Sequence, residues 1–411
     1  MLQLLSGLRH QDLSLAAIRI GVLVYVAVMF VPHTGAVRTL AIYLPVLLLI
    51  WRYLAGGRPR WADLRQPVLL LFMIWVLAHV PSVLYAPDLG YSLDEFHGSL
   101  LRALVLALLV YEGFRDEVWL RRLFQWLGWL ALGLLLVFGY QVAGVLLAHG
   151  MGSVTRYGDF RGFGEALVLL LPMAYWNARN GGAWRGPLFW VVVTGLTGLA
   201  FLTGARGVLA GALVAFVLLM ALDRNKTALW VLLISLALGA LAFWLFFHPG
   251  IVASRLSSGL FDSSGRVYSI WLPSIEIWLQ KAPWLGFGYG PSNFDPYYRE
   301  VVSQNPALAG RANSLGLHNQ WLLIAVQAGL FGIVASLLLW AGQLWIQCKM
   351  ALRARRAGEF GGVVLLAALI GHYGVRGLTD IVSWVPLGLL VGMAAALGYL
   401  YRDEAGRERP G

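Results

Sequence analysis

Long apolar segments alternate with short polar connections along most of the chain. A helix needs about 20 residues to cross a bilayer, and twelve segments approach or exceed that length: 13–31, 37–54, 67–84, 99–114, 119–147, 166–178, 188–203, 207–222, 228–247, 319–348, 362–380 and 383–401. Lipid offers no partner for an open backbone, so each segment must be helical. The pattern predicts an all-α, polytopic integral membrane protein with about twelve transmembrane helices.

The composition agrees with a membrane protein. Hydrophobic residues make up 59% of the 411 residues and charged residues only 12%, whereas soluble domains carry about 25% charged residues. The mean hydropathy is +0.71. The single cysteine, Cys348, excludes an intramolecular disulfide and a cysteine-based metal site.

Lysine and arginine are distributed unevenly between the two sides of the predicted helices. An even number of helices places both termini on one side, and that side holds nineteen of the 31 basic residues. Positive charge marks the cytoplasmic side, so both termini are predicted to be cytoplasmic. The opposite side holds nine basic residues: Arg38, Arg156, Arg161, Arg206, Arg255, Arg266, Lys281, Arg299 and Arg311.

One connection is much longer than the others and divides the chain. We predict transmembrane helices 1 to 9 in residues 1–247, one large outer loop in 248–318, and helices 10 to 12 with a short cytoplasmic tail in 319–411. Within the loop, residues 267–281 have apolar positions at helical spacing and predict an amphipathic helix on the bilayer surface or on the bundle. Those positions are Val267, Ile270, Trp271, Ile275 and Trp278.

The most informative stretch runs from the end of this loop into the tenth apolar segment. Gly286, Gly288 and Gly290 predict a tight turn whose backbone approaches a ligand. His318 and Asn319 then stand where water meets the bilayer, at the start of a helix. A histidine there is both reachable and oriented, which suits a general base. Capping the helix or anchoring it at the interface is the alternative role.

A further polar pattern lies inside the eleventh segment. His372, Arg376 and Asp380 are spaced at i, i+4 and i+8 and share one helical face. Polar faces in membrane helices are functional hypotheses, but a structural pair of Arg376 with Asp380 is the interpretation that we favour.

The arginines on the outer side suggest bound anions. Arginine makes bidentate contacts to phosphate better than lysine does. The acidic residues on that side do not cluster in the sequence, and there is no DxD pair, HExxH motif, metal-spaced histidine pattern or P-loop. The predicted chemistry therefore needs no metal and no cofactor, and it takes its substrate from the membrane.

Several sequence elements occur together in a characteristic order. They are LTGARG at 202–207, Gly265-Arg266 before the tryptophan-bearing segment, PWLGFGYG at 283–290, and HNQWL to QAGLFG at 318–332. This arrangement, with the span count and the single large loop, resembles the O-antigen ligase family. That family belongs to a wider O-antigen ligase and polymerase superfamily of bacterial inner-membrane proteins.

The resemblance implies a glycosyltransferase of the bacterial inner membrane with a periplasmic active site. Its donor would be an undecaprenyl-diphosphate-linked glycan and its acceptor lipid A–core oligosaccharide. Membrane lipids would surround it, and nucleic acid is not an expected partner. His318 would act as the base of an inverting, metal-independent transfer in lipopolysaccharide biosynthesis.

The same scheme assigns substrate binding to a set of polar residues, each with a simpler alternative. Arg266 opens the amphipathic helix, where anions bind well, but it could also contact lipid headgroups. Arg206 and Arg161 would hold the diphosphate with it, although an arginine at a helix end can simply snorkel. Arg311 would grip core-sugar phosphates or only solvate the loop. Asn319 would orient the ring or the substrate, or cap the helix.

Three other functions remain open at this point. An O-antigen polymerase shares the superfamily signature but usually has two large periplasmic loops, and a protein-targeting oligosaccharyltransferase usually carries extra C-terminal sequence. A transporter or flippase would place charge near the bilayer midplane and often shows repeats. The one long loop and the outer arginines favour the ligase.

Overall fold

The computed structural model describes residues 10–54, 66–149, 161–181, 185–203, 206–223, 267–305, 316–356 and 360–407, with isolated helical positions at 230, 234 and 237. Throughout these residues the regular structure is helical and no strand occurs. The predicted all-α class is therefore confirmed. Arg266 and Arg311 lie outside the described residues, as does most of the ninth apolar segment.

Helices follow one another through the first part of the chain. They are α1 (His10–Val28), α2 (Gly35–Leu54), α3 (Pro67–Ala78), α4 (Val80–Leu84), α5 (Leu89–Phe96), a π-helical turn (His97–Leu101), α6 (Arg102–Phe114), α7 (Glu117–His149), α8 (Arg161–Arg179), α9 (Arg185–Thr203) and α10 (Arg206–Asp223).

The second part contains two short helices and then three long helical runs. The short helices are α11 (Leu272–Lys281), which continues a π-helical turn (Val267–Trp271), and α12 (Asp295–Gln304). The long runs are α13 (Gln320–Arg356); α14 (Gly361–Leu369) with a π-helical turn (Ile370–Arg376) and α15 (Gly377–Thr379); and α16 (Val385–Arg407).

The helices agree well with the apolar segments. Eleven of the twelve predicted segments overlap helices of the described chain. Five helical runs are long and apolar enough to cross a membrane by themselves: Gly35–Leu54, Pro67–Leu84, Glu117–His149, Gln320–Leu352 and Gly361–Thr379. The protein is thus a multi-pass membrane protein, while the total of twelve spans and the domain limits stay predictions.

Small residues let the helices of the bundle approach closely. A Cβ added to Gly388 of α16 would lie 2.1 Å from the carbonyl oxygen of Ala103 in α6. One added to Gly211 of α10 would lie 2.6 Å from the carbonyl oxygen of Gly371. Close backbone contact at small residues is the usual way in which membrane helices associate, because lipid removes the hydrophobic drive. The second contact matters most, since it holds α10 against the polar π turn.

The described part of the long connection has its own small core. The π turn before α11, both short helices and the first turns of α13 bury a shared cluster of apolar side chains: Ile270, Ile277, Phe287, Phe294, Tyr298, Val302, Leu317, Leu322, Leu323 and Val326. The predicted amphipathic helix is present, but its predicted buried face is partly wrong. Ile275 is exposed and Ile277 is buried. A π turn takes more residues than an α turn, which shifts the inward face along the sequence.

The glycine-rich turn packs against a break in α13. Gly329 has φ 61° and ψ −159°, which interrupts the helix. The groups released there bond to the turn: Leu330 N donates to Pro283 O at 2.8 Å, and Phe287 N donates to Val326 O at 2.7 Å. A Cβ on Gly286 would lie 2.6 Å from the latter oxygen. Gly286 therefore makes a close approach to the protein's own backbone, while a ligand at this turn stays a prediction.

Gly329→Ala tests this junction. Its backbone conformation is accessible almost only to glycine, and an added Cβ would lie 2.3 Å from the backbone of Trp284. We expect the free energy of unfolding to fall by about 2 kcal/mol or more. The measurement is the apparent melting temperature of the purified protein in detergent, which should be lower. Gly133→Ala in α7 is the matched control, because nothing lies within 4 Å of its added Cβ. An equal melting temperature for both variants would contradict the proposed constraint.

Candidate functional site

The segment before α13 is fixed from several directions. Trp271 donates from Nε1 to the carbonyl oxygen of Leu317 at 2.8 Å, which ties the helix of the long connection to the residue before His318. Asn319 accepts from the backbone N of Leu322 at 3.0 Å and so caps the helix. Its amide nitrogen also donates to the carbonyl oxygen of Leu378 at 3.3 Å. These contacts give His318 a defined position at the end of the bundle.

His318 is paired with a carboxylate from a distant part of the chain. Its Nδ1 atom lies 3.3 Å from Oδ1 of Asp380, and its side chain is 29% exposed. A proton on Nδ1 donated to this carboxylate leaves the lone pair on Nε2, the arrangement that a general base requires. Nε2 makes no hydrogen bond to the described residues. The ring therefore combines a fixed orientation with access from outside.

The backbone around His318 is adapted to this placement. His318 has φ 48°, an uncommon conformation for a residue with a side chain. A Cβ added to Gly316 would lie 2.5 Å from Nε2 of His318. The imidazole thus lies directly over a glycine, and only a hydrogen at that position leaves room for the ring.

Asp380 is held in its own turn by charge and by backbone contacts. It follows the last helical residue, Thr379, and its Oδ1 accepts from the backbone N of Ile381 at 2.9 Å. Arg376 lies 3.9 Å away. Partial burial by itself would raise the pKa of Asp380, but the hydrogen bond from His318 and the charge of Arg376 outweigh it and hold that pKa below its usual range. The carboxylate is therefore charged at neutral pH.

Two further side chains fix the turn that carries Asp380. Gln320, the first residue of α13, accepts from the backbone N of Val382 at 2.9 Å. Glu165 of α8 accepts from the backbone N of Ser383 at 2.9 Å and lies 3.8 Å from Arg376. The fold thus brings Glu165 and Asp380, which are far apart in the sequence, to the same arginine.

Two of the predicted arginines begin helices beside this cluster. Arg161 is the first residue of α8 and Arg206 the first of α10; their side chains are not described. A Cβ on Gly164 would lie 2.4 Å from Val208, and one on Gly207 would lie 2.2 Å from Oγ1 of Thr379. The first turn of α8 is therefore adjacent to that of α10, and the first turn of α10 is adjacent to Thr379, the residue that precedes Asp380.

The other two predicted arginines lie outside the described residues. Arg266 directly precedes the π turn that carries Trp271, whose contact with Leu317 is described above. The substrate roles of Arg161, Arg206, Arg266, Arg311 and Asn319 all stay predictions.

Helix N-termini converge on this end of the bundle. The starts of α8, α10 and α13 all contact the segment from Arg376 to Ser383. The N-terminus of a helix carries a partial positive charge and free N–H groups, so it favours anions. The site can therefore supply a base at His318 and a positive environment for a negatively charged group.

The sequence predicted His318 as a candidate but did not predict that Asp380 is its partner. Asp380 was interpreted only as a structural partner of Arg376, whereas the structure also places it on His318. The signal was present, because an intramembrane polar face that ends in a carboxylate is a functional hypothesis by default. The sequence could not show which other element this face meets.

Fold and site together define a multi-pass helical membrane protein whose histidine–carboxylate pair lies at converging helix N-termini. Residues 190–337 match the family model described as O-antigen ligase. This part of the chain, which includes His318 and Asn319, is similar to the O-antigen ligase family, and the predicted resemblance to the ligase and polymerase superfamily is confirmed. The match does not separate ligases from polymerases. No curated protein matches the chain.

Proposed function

We propose that the protein is an O-antigen ligase, which transfers a glycan from undecaprenyl diphosphate to lipid A–core oligosaccharide. The observation that carries this proposal is the pair of His318, just before α13, and Asp380, in which His318 lies inside the segment matched by the family. The pair would face the periplasm of a bacterial inner membrane, with both termini in the cytoplasm. Both substrates are lipid-anchored and would reach the site from the bilayer.

The histidine supplies the base in this scheme. Nε2 of His318 takes the proton of a core-sugar hydroxyl while that oxygen forms a bond to the anomeric carbon of the donor. The bond from this carbon to the diphosphate oxygen breaks, and the diphosphate leaves with the electron pair. Asp380 stabilises the imidazolium that forms, as carboxylates beside catalytic histidines do. Direct displacement inverts the anomeric carbon, so retained configuration in the product would contradict it.

The leaving diphosphate needs positive charge, because negative charge develops on it in the transition state. The N-termini of α8, α10 and α13 provide part of this field. Arg161 and Arg206 begin two of these helices, and Arg266 precedes the helix that is tied to Leu317. We assign diphosphate binding to these three arginines and a weaker contact with core-sugar phosphates to Arg311.

A reconstituted reaction tests the proposal and its nearest alternative. Purified protein is supplied with undecaprenyl-diphosphate glycan and lipid A–core in EDTA, and the products are separated by electrophoresis. We expect lipopolysaccharide of slower migration. Longer lipid-linked glycan without modified lipid A–core would instead identify a polymerase. Activity that appears only after a divalent ion is added would contradict a metal-independent reaction.

Gly316→Ala probes the position of the ring without removing it. The added Cβ would meet Nε2 of His318, and a flexible side chain can yield at little cost in stability. We expect an unchanged melting temperature but a turnover rate lower on the order of tenfold, because small displacements of a catalytic group are costly. Gly139→Ala, with nothing within 4 Å of its Cβ, is the control. Full activity of Gly316→Ala would argue against Nε2 as the base.

A further inference from the structure

One charged side chain is buried in the bundle and has no place in the scheme so far. Arg376 is 2% exposed, although it carries a full positive charge within the span Gly361–Thr379. Charges inside a membrane protein are costly and usually functional. Because it is buried, Arg376 cannot touch a substrate that arrives from outside.

The contacts of Arg376 do not resemble a closed structural ion pair. Its Nη1 lies 3.8 Å from Glu165 and its Nη2 lies 3.9 Å from Asp380, which is longer than a hydrogen bond. Neither Nε nor Nη1 has a hydrogen-bond partner among the described residues. A buried ion pair without good hydrogen bonds contributes little to stability, so stability alone does not explain this arginine.

Neighbouring helices provide space for Arg376 with glycines. A Cβ on Gly164 of α8 would lie 3.6 Å from Nη2, and one on Gly211 of α10 would lie 3.4 Å from Cβ of Arg376. Gly207 lies beside its Cγ in the same way, at 3.9 Å. Arg376 also ends a π-helical turn (Ile370–Arg376), a structure often found at functional sites. The side chain is therefore enclosed by the first turns of the helices that begin with Arg161 and Arg206.

We propose that Arg376 is a positioning residue for the transfer reaction. It holds the carboxylate of Asp380, and through it the ring of His318, at a fixed place relative to the first turns of α8 and α10. The base and the diphosphate-binding helix starts are thereby set around one buried charge. This inference rests on the proposed transfer reaction and adds a residue that never contacts the substrates.

The charged and titratable groups around Arg376 determine the sign of the expected pH effect. They are Glu165 from α8, His318 from the segment before α13, and Asp380, His372 and Tyr373 from its own helical run. From α13 the neighbouring side chain is the neutral Gln320. From α10 the described neighbours are Gly207 and Gly211, and the side chain of Arg206 is not described. Removal of the positive charge favours protonation of Asp380 and also of the imidazole beside it, and a protonated imidazole cannot act as the base. Activity should therefore be lost at a higher pH than in the wild type.

The experiment compares Arg376→Met and Arg376→Lys with the wild type in the reconstituted reaction. For Arg376→Met we expect turnover to fall about tenfold or more. The acid limb of the pH profile of turnover should move up by about one pH unit. The KM for the donor should change less than about twofold, because a buried residue does not bind it. Arg376→Lys should keep the acid limb of the wild type with intermediate turnover, since it keeps the charge but not the two-pronged geometry.

A second measurement does not depend on catalysis. Diethyl pyrocarbonate modifies neutral imidazole, and peptide mass spectrometry reports its reaction with His318 alone. In Arg376→Met the pH of half-maximal modification should rise in parallel with the acid limb. If the wild type shows no transfer activity but Arg376→Met still shifts the modification of His318, the proposed function is overturned while the effect of Arg376 on His318 stands.

Three results would overturn the positioning role. One is a folded Arg376→Met protein whose acid limb and His318 modification are unchanged. Another is a large rise in donor KM at constant turnover, which would make Arg376 a binding residue. The third is a purely structural role, which either failure of both variants to fold or full activity of Arg376→Lys beside an unfolded Arg376→Met would show.

Discussion

His318→Ala is expected to lower the rate of glycan transfer by about 10³-fold, the middle of the range for loss of a general base. The acceptor hydroxyl is a weak nucleophile until its proton is removed, and Nε2 of the partly exposed His318 is the ring nitrogen that Asp380 does not occupy. The measurement is the initial rate of lipopolysaccharide formation in the reconstituted system.

The controls separate chemistry from folding. The melting temperature of His318→Ala should stay close to that of the wild type, because the ring is partly exposed and its bond to Asp380 is long. His97→Ala removes an exposed histidine that is bonded to Tyr43 of α2 and has no role in the proposed mechanism, so this variant should keep its activity. A folded His318→Ala protein within threefold of the wild-type rate would remove His318 from the mechanism.

Most of the helical architecture could be predicted from the sequence because membrane helices are specified locally. Length and apolar composition identify each segment independently of its neighbours. The breaks were harder to predict, since they depend on partners elsewhere in the chain. Gly329 interrupts α13 only because residues 283–287 satisfy the released backbone groups. Neither that partner nor the π turns can be inferred from apolar periodicity.

The candidate site shows the same division between local and distant information. His318 and the Asn319 cap are local features of a helix start, and the sequence predicted both as candidates. The bond between His318 and Asp380 joins positions 62 residues apart, and no local pattern encodes such a pairing. Glu165 was likewise an isolated acid in the sequence, and only the packing of α8 against the π turn brings it to Arg376.

Asp380→Asn is expected to lower the transfer rate on the order of 10²-fold. The carboxylate of Asp380 accepts a proton from Nδ1, which keeps Nε2 free to act as the base. An amide at this position can donate to Nδ1 instead and so place the proton on Nε2, where it blocks the reaction. Initial rates at neutral pH measure the effect.

The comparison with Asp380→Ala decides whether this tautomer argument is right. Alanine removes the acceptor but donates nothing, so the ring keeps both tautomers, and Asp380→Ala should retain more activity than Asp380→Asn. A residue that only supports the turn would give the opposite order, because the amide preserves shape and can still accept from Ile381.

The pH profile adds a second criterion. The pKa of Asp380 is held below its usual range, so its charge is present at neutral pH and is lost only in acid. Titration of Asp380 should therefore add no pH dependence to wild-type activity near neutrality.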